Sequence, residues 1–267
     1  MPLAPSRSVA PNAPSRAATP GRGARVITPI DTQFFEQHSS ALSGSSLHSA
    51  ANPLWTLGDI YTFAFWVKFV GTQTSDPCTY FDLRSTVNNL SRVSISKDLA
   101  GTKVRLFCTD WLGVTKVNAL HTTTIASIQD AWTRVVVWKF KNVLSRLYIN
   151  GSYLHAAGNY LTIDGSRSLY INDNVETTAD AGSIRIGHMY FWNGSVSGAV
   201  LDGVMASEKH GWNPNFPTGS YTQANADVLV RWYRPGEYGL VGDDKVGIND
   251  FTGAGGASIS SRVEDGP

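Results

Sequence analysis

The stretch Tyr61-Thr-Phe-Ala-Phe-Trp-Val-Lys-Phe69 places Tyr61, Phe63, Phe65, Val67 and Phe69 at every second position. A two-residue period puts all five on one face of an extended chain, whereas a helix would scatter them around its circumference. The same texture returns at Trp132-Thr-Arg-Val-Val-Val-Trp-Lys-Phe140, Arg146-Leu-Tyr-Ile-Asn-Gly151 and Ser183-Ile-Arg-Ile-Gly187. Turn-forming residues follow closely. The chain is therefore all-β, and its activity must be sought on stacked sheets.

Further strands are expected at Thr79 to Arg84, Arg92 to Lys97, Lys103 to Thr109, Thr115 to Leu120, Ser168 to Ile171 and Val196 to Met205. Their spacing, about ten residues from one to the next, fits antiparallel meanders. Asn150-Gly151 and Asn193-Gly194 read as hairpin turns, because a type I′ turn needs positive φ at both central residues. Ala226 to Tyr233 reads as a short strand or a helical turn, and no helix beyond about three turns is expected. No repeat at a solenoid or propeller period is visible.

The 267 residues are 42% hydrophobic and 16% charged with 25 glycines, a composition that suits many short strands joined by tight turns. The reading is one sandwich over residues 31–267, with an irregular C-terminal tail, preceded by an arm over residues 1–30. That arm carries Arg7, Arg16, Arg22 and Arg25 without one Asp or Glu, among Pro, Ala and Ser. It lacks the apolar surface to fold alone.

One reading of the arm is a cleavable transit peptide, since such peptides are rich in Arg and Ser and poor in acids. The reading taken forward is an extended arm gripping another chain through its four arginines. Ordering such a segment costs about 1 kcal/mol per residue or more, and contacts with another surface would offset that. Net charge is +1, so no specific nucleic-acid partner is expected. No run of eighteen apolar residues or secretory core occurs, so no membrane association is expected either. Cys78 and Cys108 are read as two buried small hydrophobes or as a pair.

The blocks Phe63-Ala-Phe-Trp-Val-Lys68, Trp132-Thr-Arg-Val135 and Leu147-Tyr-Ile-Asn-Gly151 resemble the laminin G-like branch of the concanavalin A-like lectin and glucanase superfamily. Ser183 to Gly187 followed by Gly198-Ala-Val-Leu-Asp202 is similar to that group's closing hairpin. Leu229-Val-Arg-Trp-Tyr-Arg-Pro-Gly236, with Asp250-Phe-Thr-Gly253 after it, looks like the tail of members carried by bacteriophages. The resemblance implies a concanavalin A-like antiparallel β-sandwich of jelly-roll type with an extended N-terminal arm. It also implies a virion structural protein, such as a capsid decoration, whose partners are other virion proteins or copies of itself. Surface glycans are the alternative partner, bound as by a lectin-like adhesion module.

A glycoside hydrolase is the third reading the resemblance implies, but catalysis is not expected. The related glucanases carry closely spaced glutamates on one strand, whereas Glu36, Glu176, Glu208, Glu237 and Glu264 lie far apart. Six scattered histidines form no metal-spaced pair, so neither zinc nor any other cofactor is expected. The resemblance to calcium-holding modules draws attention to Asp243, Asp244 and Asp250, which are equally ordinary turn formers. For a glycan, Trp111, Tyr190, Trp192 and Trp212 lie at or near expected turns, where an exposed ring offers a face for a sugar. The competing reading places those rings in the core.

Overall fold

The computed structural model describes residues 39–43, 46–49, 60–72, 79–85, 91–98, 102–110, 112–140, 144–157, 167–172, 183–208, 212–234, 243–244, 251–254 and 262–263. Residues 1–30, Cys78, Trp111 and Asp250 lie outside them, as do four of the glutamates: Glu36, Glu176, Glu237 and Glu264. The strands in chain order are β1 (Ser39–Ser43), β2 (Ser46–Ser49), β3 (Ile60–Phe69), β4 (Thr79–Ser85), β5 (Arg92–Lys97), β6 (Lys103–Thr109), β7 (Thr115–Thr124) and β8 (Trp132–Phe140). They continue with β9 (Leu144–Ile149), β10 (Ser152–Ala157), β11 (Arg167–Ile171), β12 (Ser183–Trp192), β13 (Leu229–Arg234), β14 (Asp243–Asp244), β15 (Phe251–Ala254) and β16 (Arg262–Val263). Three helices are present among the described residues: α1 (Ile125–Ile128), α2 (Gly198–Glu208) and α3 (Gln223–Ala226). None is long and apolar enough to cross a membrane.

The strands form two antiparallel sheets. Among the described residues one sheet has nine strands, in the order β10-β9-β8-β3-β12-β1-β16 with β13 and β14 branching from β12. The other has seven, in the order β15-β2-β11-β4-β5-β6-β7. The expected antiparallel sandwich is the observed fold.

The alternation in β3 does what its period dictates. Tyr61, Phe63, Phe65, Val67 and Phe69 face the second sheet, where Phe63 and Phe65 stack on Phe81 with centroids 4.4 and 5.2 Å apart. Each ring buried this way contributes about 1.5–3 kcal/mol. Cys108 lies in the same core.

The Asn150-Gly151 turn has φ of 47° and 89°, the left-handed pair that a type I′ hairpin requires, and it joins β9 to β10. Asn193-Gly194 is a correction. Neither residue has positive φ among the described backbone, and the segment leads from β12 into α2 instead of closing a hairpin.

The segment Val196 to Met205, expected as a strand, is also corrected. It holds α2, an eleven-residue helix whose buried Leu201, Val204 and Met205 recur at helical spacing. The family's closing hairpin is therefore not formed by Gly198 to Asp202. Helix α2 packs on the outer face of β8 and β9. Together with Trp66, Val136, Tyr148, Tyr190 and Trp192 it builds a second apolar core outside the sandwich.

Candidate functional site

Strand β12 decides which aromatics reach that second core. Its pairing with β3 slips between Ile186 and Met189, a bulge around Gly187 and His188. The extra residue reverses the alternation, so Ile184, Ile186, Met189 and Phe191 face the sandwich core while Tyr190 and Trp192 face outward into the second core. The bulge also divides the free edge of β12: β1 pairs with Ser183 to Ile186, and β13 pairs with Met189 to Trp192.

Outward does not mean exposed. Trp192 is 0% exposed, Tyr190 0% and Trp212 2%. Trp192 and Trp212 stack at 6.1 Å, Tyr190 and Trp212 tilt together at 5.0 Å, and Trp192 Nε1 donates to the Tyr221 hydroxyl at 3.0 Å. Tyr221 in turn donates to the Pro214 carbonyl at 2.8 Å. Burial pushes the Tyr190 and Tyr221 phenols well above the ordinary tyrosine value. The expected sugar platform of Tyr190, Trp192 and Trp212 is corrected on these distances: the three rings pack on one another and offer no open face. Trp111 and the arginines of the arm, Arg7, Arg16, Arg22 and Arg25, lie outside the described residues.

An aromatic surface does exist on the same outer face, at the edge that α2 leaves uncovered. The register sets Trp138 opposite Arg146, and Arg146 opposite His155, across β8, β9 and β10; Tyr148 stands opposite Tyr153 in the next row. The Arg146 guanidinium lies 5.0 Å from the Trp138 ring centroid and 5.5 Å from that of Tyr153. Tyr153 is 59% exposed, whereas its cross-strand neighbour Tyr148, 5.6 Å away, is buried beneath the start of α2. Trp138 is half-buried, with Nε1 donating to Ser195 Oγ at 3.0 Å. The rings are thus held in place before any ligand arrives, by strand register on one side and a hydrogen bond on the other.

The sequence reading missed Trp138, Arg146 and Tyr153. The signal was partial: Trp138 shares parity with Trp132 and Arg134 and so belongs to the outer face. Nothing local says that α2 stops short of it.

Four of the described carboxylates, Asp82, Asp98, Asp110 and Asp202, hold structure. Asp202 ties α2 to the sheet, accepting from Arg134 Nε and from the Gly151 N–H, each at 3.1 Å. Asp82 pairs with Arg84 at 2.6 Å and Arg92 at 3.6 Å. Burial alone would raise the Asp98 carboxyl, but N–H donors from Lys103 and Thr102 hold it below the ordinary carboxylate value. Asp110 behaves likewise: burial is outweighed by Lys116 and by the N–H groups of Val114 and Leu112. A cleft of about 390 Å³ between α2 and residues 218–220 contains Ser207, Glu208 and Thr218. Its single acid supplies no acid–base pair of the kind glycoside hydrolysis uses.

Among the described residues no group of three His, Cys, Asp or Glu is placed to hold a metal ion. Asp243 and Asp244 form β14, paired to β13.

No protein-family model and no curated protein sequence matches the chain. Solved structures do. A protein from Bacteroides ovatus assigned to carbohydrate binding is similar at a TM-score of 0.53 and 11% identity, over 82% of this chain and 58% of that one. The receptor binding domain of botulinum neurotoxin D is similar at a TM-score of 0.50 and 12% identity, over 64% of this chain and 44% of that one. The fold is a β-sandwich of the kind these binding domains use. The chain spans about half the length of each, and identities this low establish fold alone.

Proposed function

We propose that this protein is a non-catalytic carbohydrate-binding module. The observation that carries the reading is the row of half-buried Trp138, half-buried Arg146 and exposed Tyr153 at the uncovered edge of the nine-stranded sheet. A sugar presents an apolar C–H face and a rim of hydroxyls. An aromatic ring held at a surface binds the first, and nearby Ser195, His155 and Arg146 offer hydrogen bonds to the second. The similar solved structures support it as binding domains on the same fold, one of them assigned to carbohydrate binding.

The finer reading, a bacteriophage virion component attached through residues 1–30, is supported by the sequence blocks around Leu229 and by the composition of the arm. Glycan adhesion is compatible with display on a particle, so the two readings differ in partner and not in fold.

The test is a glycan array probed with the wild type, Tyr153→Ala and Trp138→Ala. Either substitution is expected to weaken the best ligand at least tenfold, equivalent to about 1.4 kcal/mol. Tyr153→Ala, at an exposed position, is expected to leave the melting temperature unchanged. Binding that survives the double substitution would remove this surface as the site.

A further inference from the structure

We infer that the saccharide recognised at this edge is acidic, carrying a carboxylate that the Arg146 guanidinium receives. The inference rests on the carbohydrate-binding reading and specifies its ligand class.

Strands β8, β9 and β10, which build the surface, read Trp-Thr-Arg-Val-Val-Val-Trp-Lys-Phe, Leu-Ser-Arg-Leu-Tyr-Ile and Ser-Tyr-Leu-His-Ala-Ala and contain no Asp or Glu. Their outward-facing cations have different fates. Arg134 is neutralised by Asp202 from α2, at 3.1 Å. Arg146 has no such counter-charge: among the described residues it makes no ion pair, and its buried Nε atom meets no hydrogen-bond acceptor. Its neighbours are the faces of Trp138 and Tyr153. Those faces attract a cation through the ring quadrupole but offer no lone pairs to its five N–H donors.

The arrangement is therefore incomplete in a specific sense. Trp138 and the exposed Tyr153 flank a planar fork of donors, and the fork matches a carboxylate, which accepts two parallel N–H bonds. A sugar ring lying on Tyr153 with its carboxylate toward Arg146 satisfies both elements at once. His155, exposed and directly opposite Arg146 in the register, stands on the same face to donate an N–H to the anion's second side.

The experiment uses the full chain and paired probes that share rings and linkages: oligogalacturonate against its methyl ester, and sialyllactose against its methyl ester. A sulfated probe without uronic acid, a keratan sulfate oligosaccharide, separates carboxylate from sulfate. At least one acidic member is expected to bind ten times more tightly than its neutral partner. Arg146→Gln is expected to erase that ratio, and Arg146→Lys to restore only part of it. Unfolding curves of both variants establish that the sheet is intact. Equal affinity within both pairs, an acid preference that survives Arg146→Gln, or a preference for the keratan sulfate oligosaccharide alone would each overturn the inference. If neutral glycans bind and Tyr153→Ala abolishes that binding, the carbohydrate reading stands without the acidic specificity. Failure of every saccharide, acidic or neutral, would remove both.

Discussion

His121 shows how one side chain joins the two sheets. It lies on β7, at the edge of the seven-stranded sheet, and is 0% exposed. The Thr123 N–H donates to its Nδ1 at 3.0 Å, so Nδ1 carries the lone pair and Nε2 the proton. Nε2 then donates to the Ser152 carbonyl on β10, 3.1 Å away at the edge of the other sheet. Burial holds the ring below the ordinary value of 6.5, although the bond to Ser152 acts in the opposite sense. A depressed histidine makes the unfolded chain bind more protons than the folded one. Its contribution to stability is therefore complete above about 6.5 and is lost as pH falls through the folded value. Urea unfolding between about pH 7.5 and pH 5 is expected to show a steeper loss of stability for the wild type than for His121→Asn. Identical pH slopes for the two proteins would refute this role. Asp98 and Asp110, both held below 3.8, weaken the fold in the same direction nearer pH 4.

Helix α2 is the element that separates this molecule from a plain sandwich, and two of its glycines have opposite meanings. A β-carbon at Gly198 would stand 2.8 Å from Tyr148 Cδ2 and closer still to Cε2, so the helix can begin there only without a side chain. A β-carbon at Gly203 meets nothing within 4 Å. Gly198→Ala is expected to destabilise by about 1–3 kcal/mol through overpacking. Gly203→Ala is expected to stabilise by about 0.5–1 kcal/mol, because alanine loses less backbone entropy in a helix. Thermal denaturation of both variants checks the signs, and a shift in the same direction would contradict the packing described. The helix was partly legible: Leu201, Val204 and Met205 carry its period, but Val196, Val200 and Gly198 gave the segment the texture of a strand. Propensity yielded there to the burial that the outer face of β8 and β9 provides.

For the whole molecule, the sandwich is expected to be independent of residues 1–30. Residues 1–30, rich in Pro, Ala, Ser and Arg, carry little apolar surface for a core to bury. A chain starting at Asp31 should therefore melt as the full chain does. If the arm grips another chain, as its four arginines without acids suggest, the same deletion should abolish self-association or attachment to a particle. Sedimentation and particle-binding measurements on the two chains decide this, and full attachment without residues 1–30 would refute the docking arm.

The amino-acid order by itself determined the strand class, most of the strand positions and the Asn150-Gly151 turn. These follow from local sterics: a two-residue period selects one face, and positive φ selects Asn and Gly. Tertiary structure alone decided which outward-facing aromatics are covered. Parity assigns Trp138 and Trp66 to the same face without saying that Trp66 is covered by the second core and Trp138 is not. That depends on contacts remote along the chain, such as Thr62 Oγ1 accepting the Val196 N–H at 3.3 Å and donating to the Val196 carbonyl at 3.0 Å. The bulge in β12 acts similarly, because one extra residue moved Tyr190 and Trp192 into the second core. Alternation describes which side a residue faces; what lies on that side is a long-range property, and it put the open rings at Trp138 and Tyr153.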